Sequence, residues 1–253
     1  MSIISRSNPL NLQYRICIVT AASSALGIII CKTLLKANAF VLGIDTGPKD
    51  ASLNAGQGTH FQFLQCDVQE EEAAQRVVAA AREKFDGIER IDVLVTLADT
   101  GGEIDGLGRL SEVVWPVMAQ EGRGSIIHIL AGDEKSEKAR SKLVRLDRNL
   151  EDLTLIHLAG RDQQTHDQAV RWKGPSAETS FDVVPSYEEA KTHMTALIKS
   201  EKVSKDIQSA NEVTKQAASH LYEIANLALF LAGDMGQGCI GRAVHPDGTS
   251  STL

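Results

Sequence analysis

The chain opens on an apolar pattern that predicts a strand, a helix and a second strand in close succession. The first strand reads RICIVT, the helix places Ile28, Ile29, Leu34 and Leu35 toward the sheet, and the second strand reads AFVLGID. Small residues fill the turn between the first strand and the helix. This is the order of a βαβ nucleotide-binding unit, in which a pyrophosphate lies against the first turn of the helix.

The same alternation continues to the end of the chain. HFQFLQCDV predicts a third strand, and the next helix has apolar residues at helical spacing, acids in its first turn, Arg82 and Lys84 near its end and Gly87 just past it. Strands follow at IDVLVTLAD, GSIIHILAGD and residues 153–160, before the apolar helix EIANLALFLAG. The pattern predicts one α/β domain over residues 1–253.

Charge and composition narrow the class of partner. The chain has 26 Lys and Arg against 33 Asp and Glu, a formal charge of -7, without a basic block or interleaved aromatic residues. These features disfavour nucleic acid and favour a small-molecule substrate. No leader-like segment and no apolar run long enough to cross a bilayer is evident, so we expect a cytoplasmic protein with no membrane partner.

The four cysteines are far apart in the sequence. Cys17, Cys31, Cys66 and Cys239 show no paired spacing. This argues against a disulfide framework or a zinc site and favours a reducing compartment. We expect the cysteines to be core residues.

Asp45 is the candidate that selects the nucleotide. A carboxylate at the end of the second strand can accept both ribose hydroxyls of an adenosine and repels a 2′-phosphate. No arginine follows it to recruit such a phosphate, which favours NAD over NADP. The alternative is a solvent-facing loop aspartate.

Three segments together resemble the short-chain dehydrogenase/reductase family. They are CDV after the third strand, the helix end FDGIERIDVLV, and the terminal block EIANLALFLAGDMGQGCIGRAVHPDG. The resemblance implies a Rossmann-like, doubly wound sheet of about seven parallel strands, with a nucleotide-binding half over 1–100 and a substrate half over 101–253. It also implies that Asp67 and Val68 hold the adenine ring.

The family's glycine-rich turn, T-G-x-x-x-G-x-G, keeps only its last glycine. Its positions fall on Thr20, Ala21, Ser23, Ser24, Ala25, Leu26 and Gly27. Ala21 costs little if its φ is negative, whereas the methyl group of Ala25 points toward the expected phosphates and a positive φ there would be strained. The family's N-N-A-G segment reads Thr96-Leu97-Ala98-Asp99, so only the alanine is retained.

The substrate half departs further from the family. Residues 101–108 look like a loop and residues 109–120 like a short helix, with no counterpart of the catalytic Asn. The resemblance places the catalytic serine position on Ala131, the tyrosine on Lys138 and the lysine on Lys142. A phenol that donates and recovers a proton is therefore missing, and two lysines at this spacing repel each other.

A second Y-x-x-x-K match occurs at Tyr187 and Lys191, inside the segment 161–215 that corresponds to the family's substrate lid. No sixth-strand pattern follows it before the terminal helix. We therefore interpret Tyr187 as a lid residue, with the catalytic phenol as the alternative.

The remaining candidates for acid–base chemistry are polar residues expected at strand ends facing the cleft. We select Asp133, His157, Asp162 and Lys142 as catalytic candidates. His128 and His157 lie in apolar strands, so the alternative is that each is a core or rim histidine. Asp162 and Asp167 flank His166, but loop acids beside a histidine are usually solvated, so no metal site is expected.

Three functions remain open. The first is a redox-neutral enzyme of this fold, such as a cyclase or isomerase acting on a small apolar natural-product-like substrate, in which NAD binding could be weakened or lost. The second is an NAD-dependent oxidoreductase with atypical proton delivery. The third is a catalytically inactive binding protein. The resemblance implies a homo-oligomer, as is common in the family, and the short helix at 109–120 implies that its subunit interface is altered.

Overall fold

A computed structural model describes residues 8–53, 58–85, 88–98, 104–130, 154–157, 212–239, 242–244 and 250–252. The strands are β1 Ile16–Val19, β2 Phe40–Asp45, β3 Phe61–Gln65, β4 Val93–Ala98, β5 Ser125–Leu130, β6 Thr154–His157, β7 Arg242–Val244 and β8 Ser250–Thr252. The helices are α1 Ala25–Lys36, α2 Ala73–Lys84, α3 Ile104–Gln120 and α4 Glu212–Ala232.

Six strands form one parallel sheet in the order β3-β2-β1-β4-β5-β6. The strand order reverses beside β1, which pairs with β2 on one side and with β4 on the other. This is the Rossmann-like doubly wound topology that the family resemblance implies, and it leaves a crevice at the carboxyl ends of β1 and β4. Of about seven expected parallel strands, six are present in the described part of the chain.

Alternate residues of β1 enter two cores on opposite faces of the sheet. Cys17 and Val19 pack with α1 and α4, whereas Ile16 and Ile18 pack with α2 and α3. A strand buried on both faces has to be apolar at every position, and β1 is buried throughout. The helices on the two faces hold the strands, and therefore the loops at their ends, in fixed positions.

The amino ends of β1, β4 and β5 are joined by Asp92, whose side chain is buried. Its Oδ2 accepts hydrogen bonds from the Ile16 amide at 2.9 Å and from Arg90 Nε at 3.1 Å. Arg123 Nε lies 3.2 Å from Asp92 Oδ1, and the Asp92 carbonyl oxygen accepts a hydrogen bond from the Ser125 amide. This cluster lies at the end of the sheet opposite the crevice.

Three local predictions are corrected by the structure. Helix α3 begins at Ile104, within the stretch 101–108 that looks like a loop. Helix α4 begins at Glu212, inside the range 161–215 assigned to the lid. Residues 70–72, expected in the first turn of α2, precede that helix. Apart from the six-stranded sheet, β7 and β8 form an antiparallel ladder.

The early start of α3 has a packing reason. Gly106 and Gly108 lower helix propensity, which is why the sequence suggests a loop there. The described helix packs against α2 and against the loop that follows β3. Packing outweighs a propensity cost of about 1 kcal/mol for each glycine.

Candidate functional site

A cleft that is open to solvent lies at the carboxyl ends of β1, β2, β3 and β4. Its lining combines two carboxylates with mostly apolar side chains. The lining residues are Thr20, Ala21, Ile44, Asp45, Thr46, Cys66, Asp67, Val68, Leu97 and Leu107. The cleft therefore occupies the crevice at which doubly wound sheets bind their ligands.

Asp45 ends β2 and is held by two backbone amides. Ser23 N–H donates to its Oδ2 at 2.9 Å, and Gly47 N–H donates to its Oδ1 at 3.1 Å. The Ser23 hydroxyl also donates to the Pro48 carbonyl at 3.0 Å. Each carboxylate oxygen retains a second lone pair, so Asp45 can accept further hydrogen bonds from the cleft.

Thr20 ties the turn to the neighbouring strand. Its hydroxyl accepts the Leu97 amide at 2.9 Å, and its own amide donates to the Val95 carbonyl at 3.0 Å. These bonds fix the ends of β1 and β4 relative to each other. The base of the turn after β1 is therefore held against β4 by both groups of Thr20.

The strain in the turn lies at Ala21, with φ of +47°, and not at Ala25. Ala25 is exposed, is the first residue of α1 and does not have a positive φ. The expectation from sequence that Ala25 is the strained position is therefore wrong. Ala21 occupies the left-handed region, which costs an L-residue roughly 1–2 kcal/mol relative to glycine.

Replacing Ala21 or Ala25 by glycine should change the stability of the chain in opposite directions. Ala21→Gly should raise the free energy of unfolding by about 0.5–1 kcal/mol, because glycine adopts a positive φ without strain. Ala25→Gly should lower it by about 0.5–1 kcal/mol, because glycine weakens a helix end that alanine favours. Urea denaturation of both variants tests this, and a loss of stability in Ala21→Gly would contradict the assignment of strain.

Gly27 allows the first turn of α1 to contact the turn after β1. A β-carbon at residue 27 would overlap the Ala21 carbonyl oxygen and lie 2.9 Å from the Ala22 α-carbon. Ser24 caps α1 by accepting the Gly27 amide at 3.1 Å. Within the described chain, the amides of Ala25 and Leu26 have no protein acceptor, so they remain as donors for an anion at the start of α1.

Asp67 and Val68 line the opposite wall of the cleft, beside the first turns of α3. Asp67 Oδ1 accepts the Gln69 amide at 2.9 Å. Leu107 of α3 is buried and faces the same cleft. Leu107 is not predicted from sequence as a site residue because its surroundings look like a loop. Four further lining residues were also not predicted, although each adjoins a predicted site residue: Ile44, Thr46, Cys66 and Leu97.

The structure brings together five of the nine predicted cofactor-binding residues: Thr20, Ala21, Asp45, Asp67 and Val68 line the cleft. Ser23, Leu26 and Gly27 lie on the adjacent turn and helix start without lining it. Ala98 ends β4, and only its backbone is described. The cofactor predictions thus converge on one region.

The described cysteines are buried, as expected for core residues. Burial raises the pKa of the Cys17 and Cys31 thiols well above the usual range, so both remain protonated. Cys66 lines the cleft, where Arg76 Nη2 donates to its Sγ at 3.1 Å. Cys66 therefore belongs to both the core and the wall of the site.

His128 is a core histidine. Its Nδ1 lies 2.5 Å from the Thr96 hydroxyl and its Nε2 lies 3.5 Å from the Ser111 hydroxyl. Since Ser111 donates to the Leu107 carbonyl at 3.0 Å, its oxygen accepts from Nε2–H, and Thr96 donates to Nδ1. Burial lowers the pKa of His128 to about 4, so the ring is neutral near pH 7.

The buried neutral His128 predicts acid sensitivity. Its pKa is about 4 when folded and about 6.5 in a free chain, so the unfolded state binds the proton more tightly. The contribution of neutral His128 to the free energy of unfolding is complete above pH 6.5 and is lost as the pH falls toward 4. At pH 5 the loss is about 2 kcal/mol. Urea denaturation at pH 7.5 and pH 5 should show this loss in the native chain, and a His128→Asn variant that retained it in full would contradict the prediction.

The predicted catalytic residues fall largely outside the described residues. Three of the four catalytic candidates are outside the described residues: Asp133, Asp162 and Lys142. The same holds for five other residues discussed from sequence: Asp99, Ala131, Lys138, Tyr187 and His166. His157 is the last residue of β6, and only its backbone is described. The four catalytic candidates therefore stay predictions.

The described residues contain no group of three or more His, Cys, Asp or Glu side chains arranged to hold a metal ion. Among the same residues, no helix is both long and apolar enough to cross a membrane.

Comparisons with known proteins agree with the fold. Residues 15–113 match the model of the short chain dehydrogenase family. The short-chain dehydrogenase/reductase olcF of Penicillium canescens is 30% identical over 137 residues, covering 47% of this chain and 52% of that protein. The short chain dehydrogenase ausX of Emericella nidulans is 28% identical over 134 residues, covering 46% of this chain and 66% of that protein.

A solved structure extends the likeness to nearly the whole chain. The crystal structure of gox2181 superposes with a TM-score of 0.54 over 92% of this chain and 93% of that chain, at 15% identity. At this identity the likeness concerns the fold. In sequence, the chain spans about half the length of the curated relatives it matches, with 52% coverage for the first three.

Proposed function

We propose that the cleft of this chain, whose residues 15–113 match the short chain dehydrogenase family model, binds an adenine dinucleotide, NAD in preference to NADP. The observation that carries this is Asp45, whose carboxylate is held at the edge of the cleft by the Ser23 and Gly47 amides. A fixed carboxylate there accepts ribose hydroxyls and repels a 2′-phosphate.

The residues present fit the adenosine and diphosphate parts of NAD. Asp67 and Val68 form a wall with one acceptor and one apolar side chain, and Leu107 adds a second apolar surface. The amides of Ala25 and Leu26 supply donors for a diphosphate at the start of α1. When bound, NAD supplies hydride transfer, and the chain's own residues bind and orient its adenosine half.

For the reaction, we favour redox-neutral chemistry on a small apolar substrate, such as isomerisation, cyclisation or elimination. The support is the sequence alignment, which puts Ala131 and Lys138 where the family needs a hydroxyl and a phenol. Asp133, His157, Asp162 and Lys142 are the proposed acid and base groups. The alternative is an NAD-dependent oxidoreductase, and its support is that five of the predicted cofactor-binding residues line one cleft.

Fluorescence titration of the purified chain with NADH and NADPH tests the cofactor proposal. We expect NADH to bind at least about tenfold more tightly than NADPH. Asp45→Ala should remove this preference, whereas Asp50→Ala, in the same loop and outside the cleft lining, should keep it. Equal affinity for the two nucleotides, or no binding of either, would overturn the proposal.

Turnover separates the two reactions. Oxidation of NADH with a panel of carbonyl compounds would favour the oxidoreductase. NADH that binds but is not consumed argues against the oxidoreductase, and formation of a product without net oxidation of NADH then distinguishes the redox-neutral enzyme from an inactive binding protein. Once a substrate is found, Ala replacements of Asp133, His157 and Asp162 should abolish product formation, and an unchanged rate would remove the tested residue from the mechanism.

A further inference from the structure

The loop after β3 is attached to the first two turns of α3. Arg109 Nη2 donates to the Gln69 carbonyl oxygen at 2.7 Å. The Gly106 amide donates to the Gln69 side-chain Oε1 at 3.3 Å. One loop residue is thus bound to the helix through both its main chain and its side chain.

The same residue is bound on its other side to the cleft. The Gln69 amide donates to Asp67 Oδ1 at 2.9 Å, and Asp67 lines the cleft. Arg109 therefore holds the carbonyl of Gln69 while Asp67 holds its amide. This sequence of hydrogen bonds connects α3 to a carboxylate of the proposed adenosine site.

The backbone of α3 touches the loop directly at Gly106. A β-carbon there would overlap the Val68 carbonyl oxygen and lie 2.7 Å from the Val68 carbonyl carbon. The next helical residue, Leu107, lines the cleft. The absence of a side chain at residue 106 therefore sets how closely the helix and the cleft wall approach.

From this geometry we propose that Arg109 is a positioning residue for the adenine side of the cleft, acting through Gln69 on Asp67 and Val68. The inference rests on the proposed nucleotide-binding function. Arg109 does not itself line the cleft. Its guanidinium forms a charge-assisted bond to a main-chain carbonyl, which restrains a loop more strongly than a neutral donor does.

The test compares Arg109→Met, Arg109→Lys and a control, Arg123→Met. Arg123 is half exposed and pairs with Asp92 at the opposite end of the sheet. We expect Arg109→Met to weaken binding of NADH and of ADP-ribose equally, by about five- to tenfold. Arg109→Lys retains a cationic donor and should recover most of the affinity, and Arg123→Met should bind as the native chain does.

Hydrogen exchange gives a readout that needs no ligand. Loss of Arg109 should accelerate exchange of the Gln69 and Glu70 amides, whose acceptors are Asp67 atoms, while amides of β1 and β4 keep their protection. Gly106→Ala should also accelerate this exchange because its methyl group displaces the loop. If Gly106→Ala does not fold, the arginine variants still decide the matter.

The outcomes separate this inference from the proposed function. If the native chain binds neither nucleotide, the proposed function fails and the ligand-positioning role fails with it. If the native chain binds NADH and Arg109→Met binds it equally well, the positioning role alone is wrong. Unchanged exchange at Gln69 and Glu70 in Arg109→Met would overturn it independently of any ligand.

Discussion

Gly27→Ala is expected to destabilise the chain by about 3 kcal/mol or more and to abolish nucleotide binding. The added methyl group would overlap the Ala21 carbonyl oxygen and lie 2.9 Å from two further backbone atoms of residues 21 and 22. Backbone atoms cannot rotate away as a side chain does. The helix and the turn would have to separate, which displaces the amides of Ala25 and Leu26.

The matched control is Gly233→Ala. A β-carbon at residue 233 has its nearest neighbour at 3.6 Å, which is ordinary van der Waals contact, and Gly233 does not have a positive φ. We expect this variant to unfold within about 0.5 kcal/mol of the native chain. Urea denaturation measures both, and a Gly27→Ala variant as stable as the control would contradict the close approach of α1 to the turn.

Asp92→Ala is expected to lower the free energy of unfolding by about 3–5 kcal/mol. The carboxylate is 3% exposed and accepts the buried Ile16 amide, with Arg90 and Arg123 beside it. Its removal leaves a buried donor without an acceptor and two cations without their counter-charge. Thermal and urea denaturation should both report the loss.

Asp234→Ala is the control for the Asp92 variant. Asp234 also pairs with an arginine, Arg15, but its side chain is 74% exposed. Exposed pairs contribute about 0–1 kcal/mol, and Arg15 retains its bond to the Ala232 carbonyl at 2.9 Å. Equal losses in the two variants would show that burial of Asp92 does not set the size of the effect.

The site is predictable from sequence where a residue's role follows from its place in a local pattern. Asp45 ends the apolar strand β2, and the carboxyl ends of parallel strands meet at one edge of a sheet, so it could be placed before the structure was known, whereas the family resemblance placed Asp67, two residues after β3. Leu107 could not be placed in this way. It lies on a helix whose glycines lower the helix signal in the sequence. That helix packs against a loop far earlier in the chain, since the Gly106 amide bonds Gln69 37 positions away and Arg109 bonds it 40 positions away.

Backbone strain in the turn after β1 is a second feature that could not be located from sequence. The sequence identifies Ala21 and Ala25 as replacements for glycine, but it does not contain their dihedral angles. The structure places Ala21 at φ of +47° and makes Ala25 an ordinary helical residue. Which alanine is strained depends on how α1 packs against β1, and Gly27 sets that distance.

The sequence by itself determined the βαβ unit and the alternation of strands and helices, because hydrophobic periodicity is a local property of the chain, and the family resemblance implied the doubly wound order of the strands. Only the tertiary structure decided the start of α3, the bond from Arg109 to Gln69 and the neutral state of His128. Each of these depends on contacts and burial between segments that are distant in the chain, and no local pattern encodes such contacts.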